Sequence, residues 1–253
     1  INGTTGYEEA GAQGLVAGLN AARFVGGEDA VHFSRTNSYI GVMIDDLTSR
    51  GVSEPYRMFT SRAEYRLSLR SDKADLRLTP TAIQAGLARQ ERRAHFTESS
   101  ARLDRARALA QETQVTPQEA GQFGVALNHD GIRRSAYDLL SYASIDIEDV
   151  QRIWPSLRQF DAETLERLAI EAHYAVYLER QKADIESVQR DENLKIPDSL
   201  DFSAIAGLSN ELRNKLMDRK PRSVADAQRI EGMTPAGIAL IIAQIRRRQL
   251  PAA

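Results

Sequence analysis

Small and apolar residues recur at helical spacing from Glu8 to about Phe24, through Ala12, Leu15, Val16, Leu19 and Ala22. This spacing predicts a helix with one packed face. Glu8 and Glu9 fall in its first turn, where the helix dipole favours carboxylates, and Gly26-Gly27 ends it. A shorter helix is expected over Tyr39–Ser49, stopped by Gly51. The stretch Tyr56–Leu78 mixes loop with possible strand, because Glu64 to Arg70 alternates with period two. Thr79-Pro80 opens a helix well, so helices are expected over 80–86 and 89–112, the second studded with arginine.

Residues 113–135 lose periodicity around Pro117 and several glycines and read as a mobile connection. Short helices follow at Tyr137–Leu140 and Ile147–Ile153, with a turn at Trp154-Pro155. Asp161 then caps a helix running to Glu192, with an apolar stripe through Leu165, Leu168, Ala172, Ala175, Val176, Ala183 and Val188. Pro197 breaks the chain, several short helices fill 202–250, and no internal repeat stands out. The expected class is mainly α. The pattern divides the chain into 1–30, an Arg-rich connecting and helical region over 31–112, a helical bundle over 113–201 and a small helical module over 202–253.

Composition is that of an ordinary globular chain, 253 residues long with 42% hydrophobic positions. With no cysteine, disulfides, thiolate nucleophiles and Cys-bound metals are excluded for this chain. Four scattered histidines make no metal motif, and no apolar run approaches the ~20 residues of a membrane span. The net charge of −2 conceals strong segmentation. Residues 1–55 carry an acidic excess, 56–110 hold 12 basic against 6 acidic groups, 111–201 are strongly acidic, and 202–253 are basic again. The two basic blocks are candidates for an anionic partner, or simply solvated helix faces.

Three segments could carry chemistry. Asn2, Gly3, Thr4, Thr5, Gly6, Tyr7 and Glu8 feed a small-residue helix. Backbone amides at such an end can bind a phosphate or the electron-rich edge of a reduced flavin, and a tight turn ahead of a packed helix is the plain alternative. Pro55 to Arg70, continuing to Arg77, interleaves Arg57, Arg62, Arg66, Arg70 and Arg77 with Tyr56, Phe59 and Tyr65. Guanidinium groups grip phosphates and aromatic faces stack on unpaired bases, while internal pairing with Glu64, Asp72 and Asp75 is the competing account. Ile205–Ser209 and Ile230–Ile238 have the form of a helix-hairpin-helix, which suits either a phosphate backbone or protein docking.

Together these residues resemble the C-terminal part of the bacterial tRNA uridine 5-carboxymethylaminomethyl modification enzyme family, MnmG (GidA). The run NGTTGYEEAGAQGLVAGLNA, Asn2 to Ala21, is similar to one family signature, lacking only the Ala-Gly-Gln that usually precedes it. PYRMFTSRAEYRLSLRSDKADLRLT, Pro55 to Thr79, is similar to a second, with Lys73 where Asn is common, and LDFSAIAGLSNE with RIEGMTPAGI to a third.

The resemblance implies the last element of a glutathione-reductase-like FAD domain followed by a C-terminal helical domain. The Gly-rich pyrophosphate loop and the family's cysteines would then lie upstream. It further implies FAD, NADH and 5,10-methylenetetrahydrofolate as parent-enzyme cofactor and substrates, and modification of C5 of a wobble uridine. A GTPase partner, MnmE, a homodimeric parent forming a heterotetramer with it, and a cytoplasmic location go with this.

Carried onto the matching positions, Asn2 to Glu8 border the flavin and Arg57, Arg62, Arg66, Arg70 and Arg77 hold tRNA phosphates. Tyr56 and Tyr65 are stacking groups, Glu211 and Lys215 belong to the partner surface, no catalytic residue falls in this stretch and no metal is expected. The chain alone should be inactive and without stoichiometric FAD. The rival reading is a non-catalytic nucleic-acid-binding or protein-docking helical module with a helix-hairpin-helix-like tail.

Overall fold

The computed structural model describes residues 3–50, 54–192, 194–228 and 230–249. Nearly all of its regular structure is helical, as the periodicity predicts, with one two-stranded ladder. The chain divides into two compact units, Ile1–Leu69 with Ala183–Ala253, and Arg70–Lys182. Among the described residues no helix is long and apolar enough to cross a membrane.

The first unit begins with α1 (Tyr7–Val25). Asn20 on α1 acts as a surrogate strand partner for the next segment: its side-chain amide donates to the Val31 carbonyl at 3.1 Å and its oxygen accepts from the Val31 N–H at 2.8 Å. The chain then turns into α2 (Tyr39–Asp45), whose N-cap Ser38 accepts from the Gly41 N–H at 2.9 Å. Gly41 is required there by close approach, since a Cβ on it would lie 2.1 Å from the Ser34 carbonyl oxygen. A π-helical turn, Asp46–Arg50, extends α2; Gly51, the expected stop, lies outside the described residues. Val42, Ala63 and Leu69 form a small core with Tyr39 and Met58 against it.

The expected strand over Glu64 to Arg70 is absent, and the segment is a series of turns instead. Leu69 donates its amide back to the Tyr65 and Arg66 carbonyls, so local turns absorb the hydrogen bonds that a strand would have offered a neighbour.

In the second unit α3 (Ala74–Gln84) starts six residues earlier than Pro80 suggests, with the proline inside it. Lys73 leads in from a 3₁₀ turn, and Pro80 leaves the Leu76 carbonyl without its usual helical donor, a cost that surrounding packing overrides. α4 (Gln90–Glu112) buries only Leu103, Ala106 and Ala110. Residues 113–135 are tied down rather than loose. β1 (Gln114–Val115) pairs antiparallel with β2 (Arg134–Ser135), and between them lies α5 (Pro117–Gly121), closed by a Thr116/Glu119 capping box.

Val115, Ala120 and Val125 enter the same core as α6 (Ala136–Leu139), α7 (Ile147–Ile153) and the first turns of α8 (Ala162–Glu192). Asp161 caps α8 as expected, accepting from the Thr164 N–H at 2.8 Å. The apolar stripe of α8 is buried at Leu165, Leu168 and Ala172, whereas Val176 is exposed.

The C-terminal part of the first unit contains a repeat that the sequence shows only faintly. Ile205-Ala206-Gly207-Leu208-Ser209 precedes α9 (Asn210–Arg219), and Ile230-Glu231-Gly232-Met233-Thr234, 25 residues on, follows α10 (Val224–Gln228) and precedes α11 (Pro235–Gln249). Gly207 (φ +90°) and Gly232 (φ +82°) both take the left-handed region that favours glycine. Ser209 and Thr234 each cap the helix that follows, accepting from Leu212 and Gly237 amides. Leu240 on α11 lies over Gly207, and Lys215, its counterpart on α9, lies over Gly232. The two hairpins thus cover each other reciprocally around one core that includes Leu216, Ile241 and Ile245.

Candidate functional site

The N-terminal turn and the arginine-rich loop, two separate expectations in the sequence, meet in the first unit. Thr4 and Tyr56 pair as an isolated parallel bridge, and Gln13 on α1 donates to Thr4 Oγ1 at 2.9 Å. Glu9 joins the two segments. Its buried carboxylate lies beside the N-cap Gly6, accepts the Met58 N–H at 2.9 Å and sits 3.5 Å from the Arg57 Nε. The Met58 amide, then Glu9's own backbone amide in the first turn of α1, with Arg57 reinforcing them, hold the Glu9 carboxyl below the usual carboxylate range. Gly6 makes room for this, since a Cβ there would overlap the Glu9 carboxylate.

Gly6 is also the N-cap of α1 and carries no side chain to close the helix end. Thr5, Tyr7 and Glu8 are exposed around it, and Gly3 and Thr4 are half-buried. Asn2 lies outside the described residues. The Glu9 carboxylate packs against this end, and Thr5, Tyr7 and Glu8 leave the rest of it exposed; helix amides there favour negative charge, such as that of a reduced isoalloxazine edge.

Beneath the loop lies a charged hub centred on Arg35, which is 17% exposed. Its guanidinium donates to Asp46 at 2.7 Å, Asp45 at 2.9 Å and Glu64 at 2.7 Å, and to the Arg62 carbonyl at 3.2 Å. Burial opposes the charge on Arg35, and Glu64, Asp46 and Asp45 outweigh it, so its pKa is raised. Asp46 also accepts the Tyr56 hydroxyl at 2.8 Å. Burial together with the Asp46 carboxylate pushes the Tyr56 phenol well up. Arg35, Asp46 and Glu9 are absent from the sequence-based site. They are separated from the loop by 10 to 49 positions, and no local pattern announces those pairings.

Several predicted contacts change role. Tyr56 is 2% exposed and its ring lies 4.5 Å beneath the Arg62 guanidinium, so it is a floor for the loop and offers no face to a base. Tyr65 is half-buried and engaged within the protein. Arg70, in the second unit, is 14% exposed, pairs with Asp72 through both arms and stacks 3.7 Å from the Tyr174 ring centroid. Arg77 is half-buried and donates to the Arg70 carbonyl at 3.0 Å. These two are structural in the second unit.

Arg57, Arg62 and Arg66 remain exposed. Glu211 and Lys215 pair with each other on α9 at 2.7 Å, and Lys215 also donates to the Glu231 carbonyl at 2.9 Å, clamping the second hairpin. A cleft of about 1250 Å³ also opens within the first unit, lined by Asn20, His32, Arg35, Asp45, Lys195 and Asp226 among others, and none of the predicted site residues faces it.

Comparison with known proteins gives a consistent picture. Residues 90–182 match the family described as tRNA modifying enzyme MnmG/GidA C-terminal helical domain, and residues 184–252 the MnmG/GidA C-terminal helical bundle. Residues 1–29 match the family described as glucose inhibited division protein A. The chain is 46% identical over 249 residues to a Granulibacter bethesdensis protein described as tRNA uridine 5-carboxymethylaminomethyl modification enzyme MnmG, covering 98% of this chain and 40% of that protein.

Two crystal structures of Aquifex aeolicus GidA are similar in fold. The form II crystal gives a TM-score of 0.77 at 37% identity, covering 97% of this chain and 39% of that one. Form I gives 0.75 at 36%, covering 96% and 38%. The chain therefore spans about two fifths of the length of these relatives. On the three family matches and the fold together, the chain belongs to the tRNA-modifying MnmG/GidA family and corresponds to its C-terminal helical portion.

Proposed function

We propose that this chain is the tRNA- and partner-binding portion of a flavin-dependent enzyme that modifies C5 of the wobble uridine, and that its N-terminal turn borders the flavin. The observation that carries the reading is the joining of the two motifs by Glu9, which ties the first turn of α1 to the arginine loop at Arg57 and Met58. Gly3, Thr4, Thr5, Gly6, Tyr7 and Glu8, with Asn2 ahead of them, are the residues that would hold the FAD edge. Bound there, FAD supplies the redox chemistry that couples NADH to a 5,10-methylenetetrahydrofolate-derived carbon.

This chain's own residues bind and orient. Arg57, Arg62 and Arg66 meet phosphates of the tRNA, so that a uridine carried on the RNA is delivered toward the helix end. Arg35 and Asp46 hold the loop in that position from below. The C-terminal double hairpin serves a protein partner, the GTPase MnmE. Glu211 stays exposed on its surface, and Lys215 sets the hairpin shape rather than reaching outward. The parent enzyme acts as a cytoplasmic homodimer that assembles with the GTPase into a heterotetramer.

The 253-residue chain alone is expected to lack stoichiometric flavin and activity; a yellow purified chain with bound FAD would contradict this. The direct test of the RNA reading is charge reversal of Arg62 and Arg66 together in the full-length enzyme. Weakened tRNA binding with a flatter salt dependence supports it, and unchanged affinity contradicts it.

A further inference from the structure

The loop that presents the arginines also presents one aromatic ring that the internal packing leaves out. Of its three aromatics, Tyr56 is buried and Tyr65 is half-buried and engaged, while Phe59 is 58% exposed. The backbone around Phe59 is fixed on every side. The Phe59 carbonyl accepts the Arg62 N–H at 2.9 Å and starts the 3₁₀ turn Thr60–Arg62. Arg62 Nε donates to the Arg57 carbonyl at 3.0 Å, closing the turn. The Met58 amide is held by Glu9, and the Arg62 carbonyl and Glu64 by Arg35. A large apolar side chain held out on a pinned turn loses little conformational entropy on binding.

The charge around it selects among partners. Phe59 is bracketed in the chain by the exposed cations Arg57, Arg62 and Arg66. Of the other exposed aromatics of this unit, Tyr7 stands beside Glu8, and Phe24 follows Arg23, whose guanidinium is already paired with Glu28. An exposed ring among guanidinium groups suits a polyanion with flat, splayed groups, which is unpaired RNA.

We propose that Phe59 is the stacking platform for an unpaired base of the tRNA, while Arg57, Arg62 and Arg66 hold the phosphates on either side of that base. This rests on the RNA-binding reading above and replaces Tyr56 and Tyr65 as the stacking groups. Stacking is sequence-tolerant and independent of counterion release, so its contribution separates cleanly from that of the arginines.

The experiment measures tRNA affinity of the full-length enzyme across a salt series, with flavin content and thermal midpoint read on each variant. Phe59→Leu is expected to weaken binding roughly ten-fold with the salt slope unchanged, and Phe59→Tyr to restore most of it. In Phe59→Trp, tRNA addition is expected to quench indole emission beyond any change in the parent protein. Unchanged affinity of Phe59→Leu, or no quench in Phe59→Trp, overturns the proposal. So does a loss of flavin or a fall in thermal midpoint accompanying the weakened binding, which would mean that protein covers the ring. If Phe59→Leu is silent while reversal of Arg62 and Arg66 still weakens binding, the stacking role alone fails. If both are silent, the RNA reading fails with it.

Discussion

The arginines of the loop Tyr56–Arg66 and those of the second unit are the same residue type in very different surroundings. In the second unit most of the half-buried arginines have an acid of their own, Arg77 on the Arg70 carbonyl being an exception. Arg70 has Asp72, Arg102 has Asp161, Arg134 has Asp130, and Arg107 grips Glu171 at 2.6 and 2.9 Å with Lys73 3.5 Å away. Burial alone would push the Glu171 carboxyl up, but Arg107 and Lys73 outweigh it and the pKa is lowered. In the loop the carboxylates are spent on Arg35 and on the Met58 amide below, leaving Arg62 and Arg66 outward. Arginine density therefore does not mark a surface of unpaired cations; the geometry of the acids does.

Arg35→Met is the severest way to break this contrast. It strands Asp45, Asp46 and Glu64 around a partly buried site, and about 3 kcal/mol of stability should go, read by denaturant unfolding of this chain. Gly41→Ala attacks the same hub through the backbone, pushing the start of α2 off Ser34. A loss of about 2 kcal/mol is expected by the same measurement.

Arg62→Glu with Arg66→Glu should weaken tRNA binding of the full-length enzyme by at least ten-fold and cost folding of this chain about 1 kcal/mol, because Arg62 also closes the turn on the Arg57 carbonyl and covers Tyr56. The smallest effect is a pH response of the loop. The Glu9 carboxyl is depressed by the Met58 amide, so the stability it contributes is complete above its unfolded pKa and is lost as pH falls through the lower, folded one. Glu9→Gln should remove that acid-side dependence, as followed by the Met58 amide resonance.

How legible all this was differs by region. Helices with a strong local signal were readable: α1 from its small-residue face, α8 from Asp161 onward, α6 and α7 within a residue or so. The failures are tertiary. Pro80 looked like a helix start because proline suits that place, yet a 3₁₀ turn at Ser71–Lys73 had already begun the helix. Residues 113–135 looked loose because three hydrogen-bonded devices of two to five residues leave no periodicity.

In the site, exposed arginines and an uncapped helix end were visible as residue types. Which tyrosine is buried depends on Asp46, a partner that sequence spacing could not assign, whereas Asp72, offered by the sequence as a competing partner, does take Arg70, with Tyr174 against it.

The salt dependence of tRNA binding, compared between two double variants of the full-length enzyme, tests the division of labour most directly. Arg62→Gln with Arg66→Gln should lower the slope of log affinity against log salt by about two, and Arg70→Gln with Arg77→Gln should leave it unchanged while costing stability. Equal loss of slope in both, or none in the first, would contradict the account.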